Sequence, residues 1–188
     1  MVRADAERNI ASILDAGRRL LSVDHAASVA EIAKAAGVGR VTLYGHFPTR
    51  EQLVEAILDH AVEQADHLLD DPELARLPAA QALTRLVGTS WEVLEQHGSL
   101  FVVADRMLPT ERIRASHAKP LRRVEQIIQR GRDDGDFRTD LPLTWLVSTF
   151  FAILHTAAGE VEAGRLDRAA AGGTLQRTLA SLLAAPAV

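Results

Sequence analysis

The chain is expected to be all-α, with an N-terminal three-helix helix-turn-helix domain over residues 1–49 and a larger helical domain over 50–188. Three observations predict this. Alanine and leucine are abundant in a chain that is 47% hydrophobic but only 4% aromatic, which favours helices over sheets. No segment alternates apolar and polar residues in the manner of a strand. Between Ser28 and Phe47, two short helical patterns flank a tight glycine turn.

The opening helix is expected over roughly Glu7 to Leu21, where Ile10, Ile13, Leu14, Ala16, Gly17, Leu20 and Leu21 recur at helical spacing. Its apolar stripe is a scaffold for the motif that follows. Ser28 and Glu31 form a capping-box pair, so a helix begins at Ser28 and carries Val29, Ile32, Ala33 and Ala36 on one side. Gly37 ends it in the left-handed conformation, and the chain turns through Gly37-Val38-Gly39. In the second short helix Leu43 and Phe47 lie four apart on the buried side. Arg40, Val41, Thr42, Tyr44 and His46 are left on or near the exposed side, a face suited to a DNA groove.

The run Thr42-Leu43-Tyr44-x-His46-Phe47-Pro48-Thr49-Arg50, followed by Leu53 and Ile57, resembles the recognition helix and linker-helix start of the tetracycline-repressor (TetR) family. The family often has Ser where this chain has Gly39 and Lys where it has Arg50. Glycine still serves as a cap and arginine keeps the charge. The resemblance covers about the first sixty residues, with a weaker echo at Gly135-Asp136-Phe137-Arg138. It implies that Arg40, Val41 and Thr42 enter a major groove and that Tyr44 and His46 hold phosphate. It further implies that Gly39 caps the recognition helix, that Ser28 caps the first helix beside a phosphate, and that Arg50 anchors the DNA backbone. Arg3 is a further phosphate candidate, with a frayed, solvated charge as the alternative.

A linker helix is expected from Arg50 to about Leu69, stopped by Asp70-Asp71-Pro72. His60, Glu63 and His67 share one of its faces and could hold a divalent metal, but a solvated polar face is the commoner use of such residues, and no metal is assigned. After a connection over Pro72 to Pro78, a helix is expected from Ala79 to His97, ended by Gly98. A shorter apolar helix around Leu100 to Val103 then stops at Pro109. A further helix from Thr110 to Gly131 must kink or restart at Pro120. Residues 131–141 read as a charged turn. From Pro142 to about Gly164 a strongly apolar helix carries a second stripe of small residues, Ser148, Ala152, Thr156, Gly159 and Ala163. The last helix, capped by Asp167, contains Gly172-Gly173, which marks either a local break or a close helix contact. These two helices are too apolar for a monomer surface. By resemblance they pair with a second copy as a homodimer.

The formal charge of −4 is unusual for a nucleic-acid binder, because phosphate neutralisation supplies most non-specific affinity. Through position 50, however, basic residues outnumber acidic ones by seven to five, so DNA contact is expected at one edge of an acidic body. The absence of cysteine removes disulfide and thiolate chemistry. The seven histidines are scattered without a nucleophile elbow, a phosphate-binding loop or a His-Glu-x-x-His pair, so no enzyme and no cofactor is expected. No signal peptide or membrane-spanning run is read, and a cytoplasmic location is expected.

The partners expected are double-stranded DNA carrying a palindromic operator and a small apolar or aromatic effector. Trp91, Phe101, Phe151, Arg106, His117 and His155 are the candidate effector-binding residues, with Trp145 and Phe150 as further bulky candidates, against the alternative that each is ordinary core. The reading is a transcriptional repressor released by its effector. The alternative is a helix-turn-helix or architectural DNA-binding protein without an effector.

Overall fold

In the computed structural model, the backbone is described for residues 2–186 and the side chains from residue 5, so the side chain of Arg3 lies outside the described residues. The described chain is helical throughout, with nine α-helices, one short 3-10 turn and a single isolated β-bridge between Phe137 and Ala184. The helices are α1 (Val2–Leu21), α2 (Val29–Ala35), α3 (Arg40–His46), α4 (Arg50–Leu69), α5 (Ala79–Met107), α6 (Thr110–Ser116), α7 (Ala118–Asp133), α8 (Leu143–Glu162) and α9 (Arg168–Leu183). The 3-10 turn spans Pro72–Ala75. No helix among the described residues is long and apolar enough to cross a membrane.

The chain divides into two compact units, Met1–Gln64 with Gln96–Ser116, and Ala65–Glu95 with His117–Val188. In the first, Ile13, Ala16 and Leu21 of α1, Ile32 and Ala33 of α2, Leu43 of α3, and Leu53, Ile57 and Leu58 of α4 are buried. Gly17 sits so close to α4 that a Cβ there would fall 2.2 Å from Ile57 Cδ1. Polar ties reinforce the packing. The His60 imidazole donates to Asp15 at 3.1 Å, Glu55 of α4 pairs with Arg112 of α6 at 2.8 Å, and the Ser116 hydroxyl donates to Asp59. His97 of α5 lies 3.1 Å from the Ser22 hydroxyl, and burial, aided by the charge of Arg18, holds its pKa below the ordinary 6.5.

In the second unit, Leu121, Val124, Ile127 and Ile128 of α7, Leu146, Val147, Phe150 and Leu154 of α8, and Leu175 and Leu179 of α9 are buried. The echo segment serves as a structural joint. Gly131 packs against the Phe137 ring, where a Cβ would lie 2.2 Å from Cδ2, and Gly135 turns the chain at φ 80°. Arg138 then donates from its backbone to Leu183 O and from its side chain to Leu182 O. Asp66, almost wholly buried, accepts from Lys119 at 2.8 Å and from Arg123 at 2.9 Å.

Four expected boundaries are corrected. The first helix begins at Val2 rather than near Glu7. Gly98 does not end a helix: α5 runs unbroken to Met107, because Leu100, Val103 and Ala104 beyond the glycine are buried and offset its cost of about 1 kcal/mol. The helix expected over Thr110 to Gly131 is two, broken at His117, with Pro120 in the first turn of α7 where its missing N–H has no intrahelical partner to lose. The charged turn begins after Asp133, not at Gly131. For Gly172-Gly173 the structure selects the close contact, since α9 is continuous and a Cβ on Gly172 would meet Trp91 Cδ1 at 3.1 Å.

Candidate nucleic-acid interface

The motif assembles as its local signals require. Ser28 is the N-cap of α2: its hydroxyl accepts from Glu31 N at 3.2 Å, while the Glu31 carboxylate accepts from Ser28 N at 2.8 Å and from the Ser28 hydroxyl at 2.7 Å. These bonds, the backbone N–H first, hold the Glu31 carboxyl below its ordinary pKa of 4.5. Gly37, at φ 70°, ends the helix with Val38 N donating to Ala33 O at 3.0 Å. Ser28→Ala should destabilise the first unit by about 1 kcal/mol through loss of the cap. Chemical denaturation checks this, and an unchanged midpoint would remove the cap from the account.

Helix α3 rests on Leu43, which is fully buried. The remaining face is open: Arg40, Val41, Thr42 and Tyr44 are exposed, and His46 is half-buried beside Phe47, with ring centroids 6.4 Å apart. Phe47, read as core, is half-buried as well. Gly39 caps α3 in an extended conformation with no side-chain hydrogen bond. Arg50, at the start of α4, directs one guanidinium N–H to Ala27 O at 2.9 Å, which ties the linker helix to the loop before α2. Its other N–H groups keep the capacity for a further acceptor. Of the predicted DNA-facing residues, Arg40, Val41, Thr42 and Tyr44 are thus exposed, whereas Arg50 and the Ser28 hydroxyl are engaged within the chain.

A family model described as bacterial regulatory proteins, tetR family, matches residues 13–57, from α1 through the turn and into α4. The transcriptional repressor KstR2 of Mycolicibacterium smegmatis is 31% identical over 150 residues, covering 74% of this chain and 69% of that protein. The chain belongs to the TetR family. It is a DNA-binding transcriptional regulator of that family. The repressor LfrR of M. smegmatis is 33% identical over 81 residues, 43% of each chain, so that alignment spans less than half of LfrR. Its crystal structure with proflavine superposes with a TM-score of 0.69 at 22% identity, over 93% of this chain and 96% of that one. A crystal structure of RolR with resorcinol gives a TM-score of 0.68 at 21% identity, over 96% and 90% of the chains. At these identities the structures show a shared fold, TetR-like from head to C-terminus.

The effector-binding candidates of this TetR-family chain do not all fall together. His117, Phe151 and His155 do: the His117 ring lies 5.2 Å from Phe151 and 5.1 Å from His155, both edge-on, and Phe151 lies 4.0 Å from His155. The His155 Nδ1–H donates to Phe151 O at 2.9 Å, so in the neutral ring the lone pair is on Nε2. Trp91, in the same unit, is buried with its indole against Gly172. Phe101 and Arg106 belong to the other unit. His60 and His67 were possible metal ligands with Glu63, but among the described residues no group of three His, Cys, Asp or Glu is placed to hold a metal. What the sequence did not signal is Gly45, the exposed penultimate residue of α3, which carries no motif of its own.

Proposed function

We propose that this regulator is a repressor that binds a palindromic operator as a homodimer and is released by a small apolar or aromatic effector. The observation that carries the reading is α3 itself, a short helix anchored by Leu43 with Arg40, Val41, Thr42 and Tyr44 all exposed. Residues 1–49 act as the reading head and 50–188 as the effector-binding and dimerisation domain, working in the cytoplasm where the chromosome is reached.

In the groove, Arg40, Val41 and Thr42 contact bases, while Tyr44, His46 and Arg50 position the head on phosphate. Dimerisation uses α8 and α9. Trp145 is 59% exposed on α8, and Ala152 and Thr156 continue the exposed side of that helix, with Ala169, Arg177 and Ala180 exposed on α9. Small residues there let a second copy approach closely, and a bulky exposed indole is a fitting interface anchor. The effector reading is supported by LfrR and RolR, which are seen with the planar aromatic ligands proflavine and resorcinol. It is supported also by the cluster of His117, Phe151 and His155, which offers aromatic faces beside imidazole hydrogen-bonding groups.

The test is to find an effector by a thermal-shift screen and then titrate operator DNA with and without it. Saturating effector should weaken DNA binding by roughly 5–150-fold, and DNA should weaken effector binding by the same factor, since the coupling is reciprocal. Unchanged DNA affinity would leave a DNA-binding regulator that senses nothing.

A further inference from the structure

With 3.6 residues per turn, Val41 and Gly45 fall on either side of the direction opposite the buried Leu43. Arg40 and Tyr44 form one flank of this line, and Thr42 and His46 the other. Val41 is 87% exposed and is the one aliphatic side chain of α3 left in water. A β-branched residue there gains nothing from packing and is a poor helix former. Gly45 lies one turn further along the same line. A Cβ at Gly45 would meet nothing within 4 Å, and its φ is not in the left-handed region. Neither packing nor backbone conformation within the chain therefore calls for glycine at this penultimate position of α3.

Both residues make sense against an outside surface. The C5-methyl of thymine is the only apolar group that base pairs present in the major groove; the other edges offer donors and acceptors that valine cannot pair. We infer that α3 seats in the major groove along this line, with the Val41 methyls against the C5-methyl of a thymine in each half-site and Gly45 letting the helix backbone close on the base edges. Val41 is thus a specificity-determining residue that reads a methyl group, distinct from the hydrogen-bonding contacts of its neighbours. The inference rests on the DNA-binding reading above.

The experiment starts from a duplex selected by the full chain. Each thymine is replaced in turn by deoxyuridine in both half-sites, which deletes the methyl and leaves every hydrogen-bonding group in place. Binding is followed by fluorescence anisotropy at fixed salt for the wild type, Val41→Ala and Gly45→Leu, with thermal unfolding of each. One thymine position per half-site should be sensitive, uridine there weakening wild-type binding roughly tenfold, the size expected of two buried methyl groups. At that position Val41→Ala should show no further loss. Gly45→Leu should unfold no earlier than the wild type yet bind the selected duplex at least tenfold more weakly. Wild-type indifference to every uridine, full uridine sensitivity retained in Val41→Ala, or unaltered DNA affinity in Gly45→Leu overturns the inference while the regulator stands. Failure to select any duplex occurs before these substitutions and overturns the DNA-binding reading together with the inference.

Discussion

Asp66→Ala should destabilise the protein by about 3 kcal/mol, the lower end of what breaking a buried ion pair costs. The carboxylate side chain is only 3% exposed and accepts from both Lys119 and Arg123. Burial alone would raise its pKa, but the two cations together outweigh burial and hold it below the ordinary 3.8. Removing the carboxylate strands Arg123, whose side chain is 18% exposed, whereas Lys119, at 63%, returns to water. Arg123 retains a longer contact to Asp70 at 3.4 Å, which places the loss at the lower end of the range. Lys119→Ala should accordingly cost less than about 1 kcal/mol. The pH dependence has a definite sign. A carboxyl with a depressed folded pKa stabilises above its unfolded value, and that contribution disappears as pH falls through 3.8 towards the folded value. Urea denaturation of the wild type and Asp66→Ala should therefore differ most near neutrality and converge in acid. Equal midpoints at neutral pH would show that Asp66 does not hold the second unit together.

Arg40→Ala should cost about 1–3 kcal/mol of DNA affinity per half-site, and the loss should be confined to operators carrying the base pair that Arg40 reads. Arg40 opens α3, is exposed, and forms no hydrogen bond or ion pair among the described residues, so its guanidinium is available for the fork that matches a guanine edge. Tyr44→Phe provides the contrast. It removes the hydroxyl proposed to hold phosphate and should weaken all sequences about equally. Binding curves on the preferred operator and on single-base variants separate the two outcomes. A uniform loss for Arg40→Ala with a sequence-selective loss for Tyr44→Phe would exchange their roles.

The parts of this fold that were legible in the sequence are those set by local chemistry. The capping box at Ser28 and Glu31, the left-handed Gly37 and the limits of α4 all appear where they were read. For α4 the reason is plain: Thr49 accepts from Gln52 N at its start, and Asp70-Asp71-Pro72 follows its end. Gly98 misled because its helix-breaking tendency is a local effect of about 1 kcal/mol, smaller than the gain from burying the leucine and valine beyond it. The Asp66 clamp had no local sign at all, since its partners stand more than fifty residues away on α7. The exposed face of α3 was readable because the helix has a single buried anchor, Leu43, from which every other direction follows. The effector candidates are the bulky Trp91, Phe101 and Phe151 and the polar Arg106, His117 and His155, and neither bulk nor polarity on a helix distinguishes Trp91, which covers Gly172, from His117, Phe151 and His155, which cluster.

In the proposed complex, two copies present their α3 helices to one symmetric duplex. The direct measurement is to select duplexes from a random library with the full chain and then weigh the complex by sedimentation. The expected product is an inverted repeat whose half-site centres lie about one helical turn apart, roughly 34–36 Å, or slightly more, bound by two chains or a multiple of two. Recovery of unsymmetrical or single-stranded sequences only, or a stable monomer on the selected duplex, would contradict it.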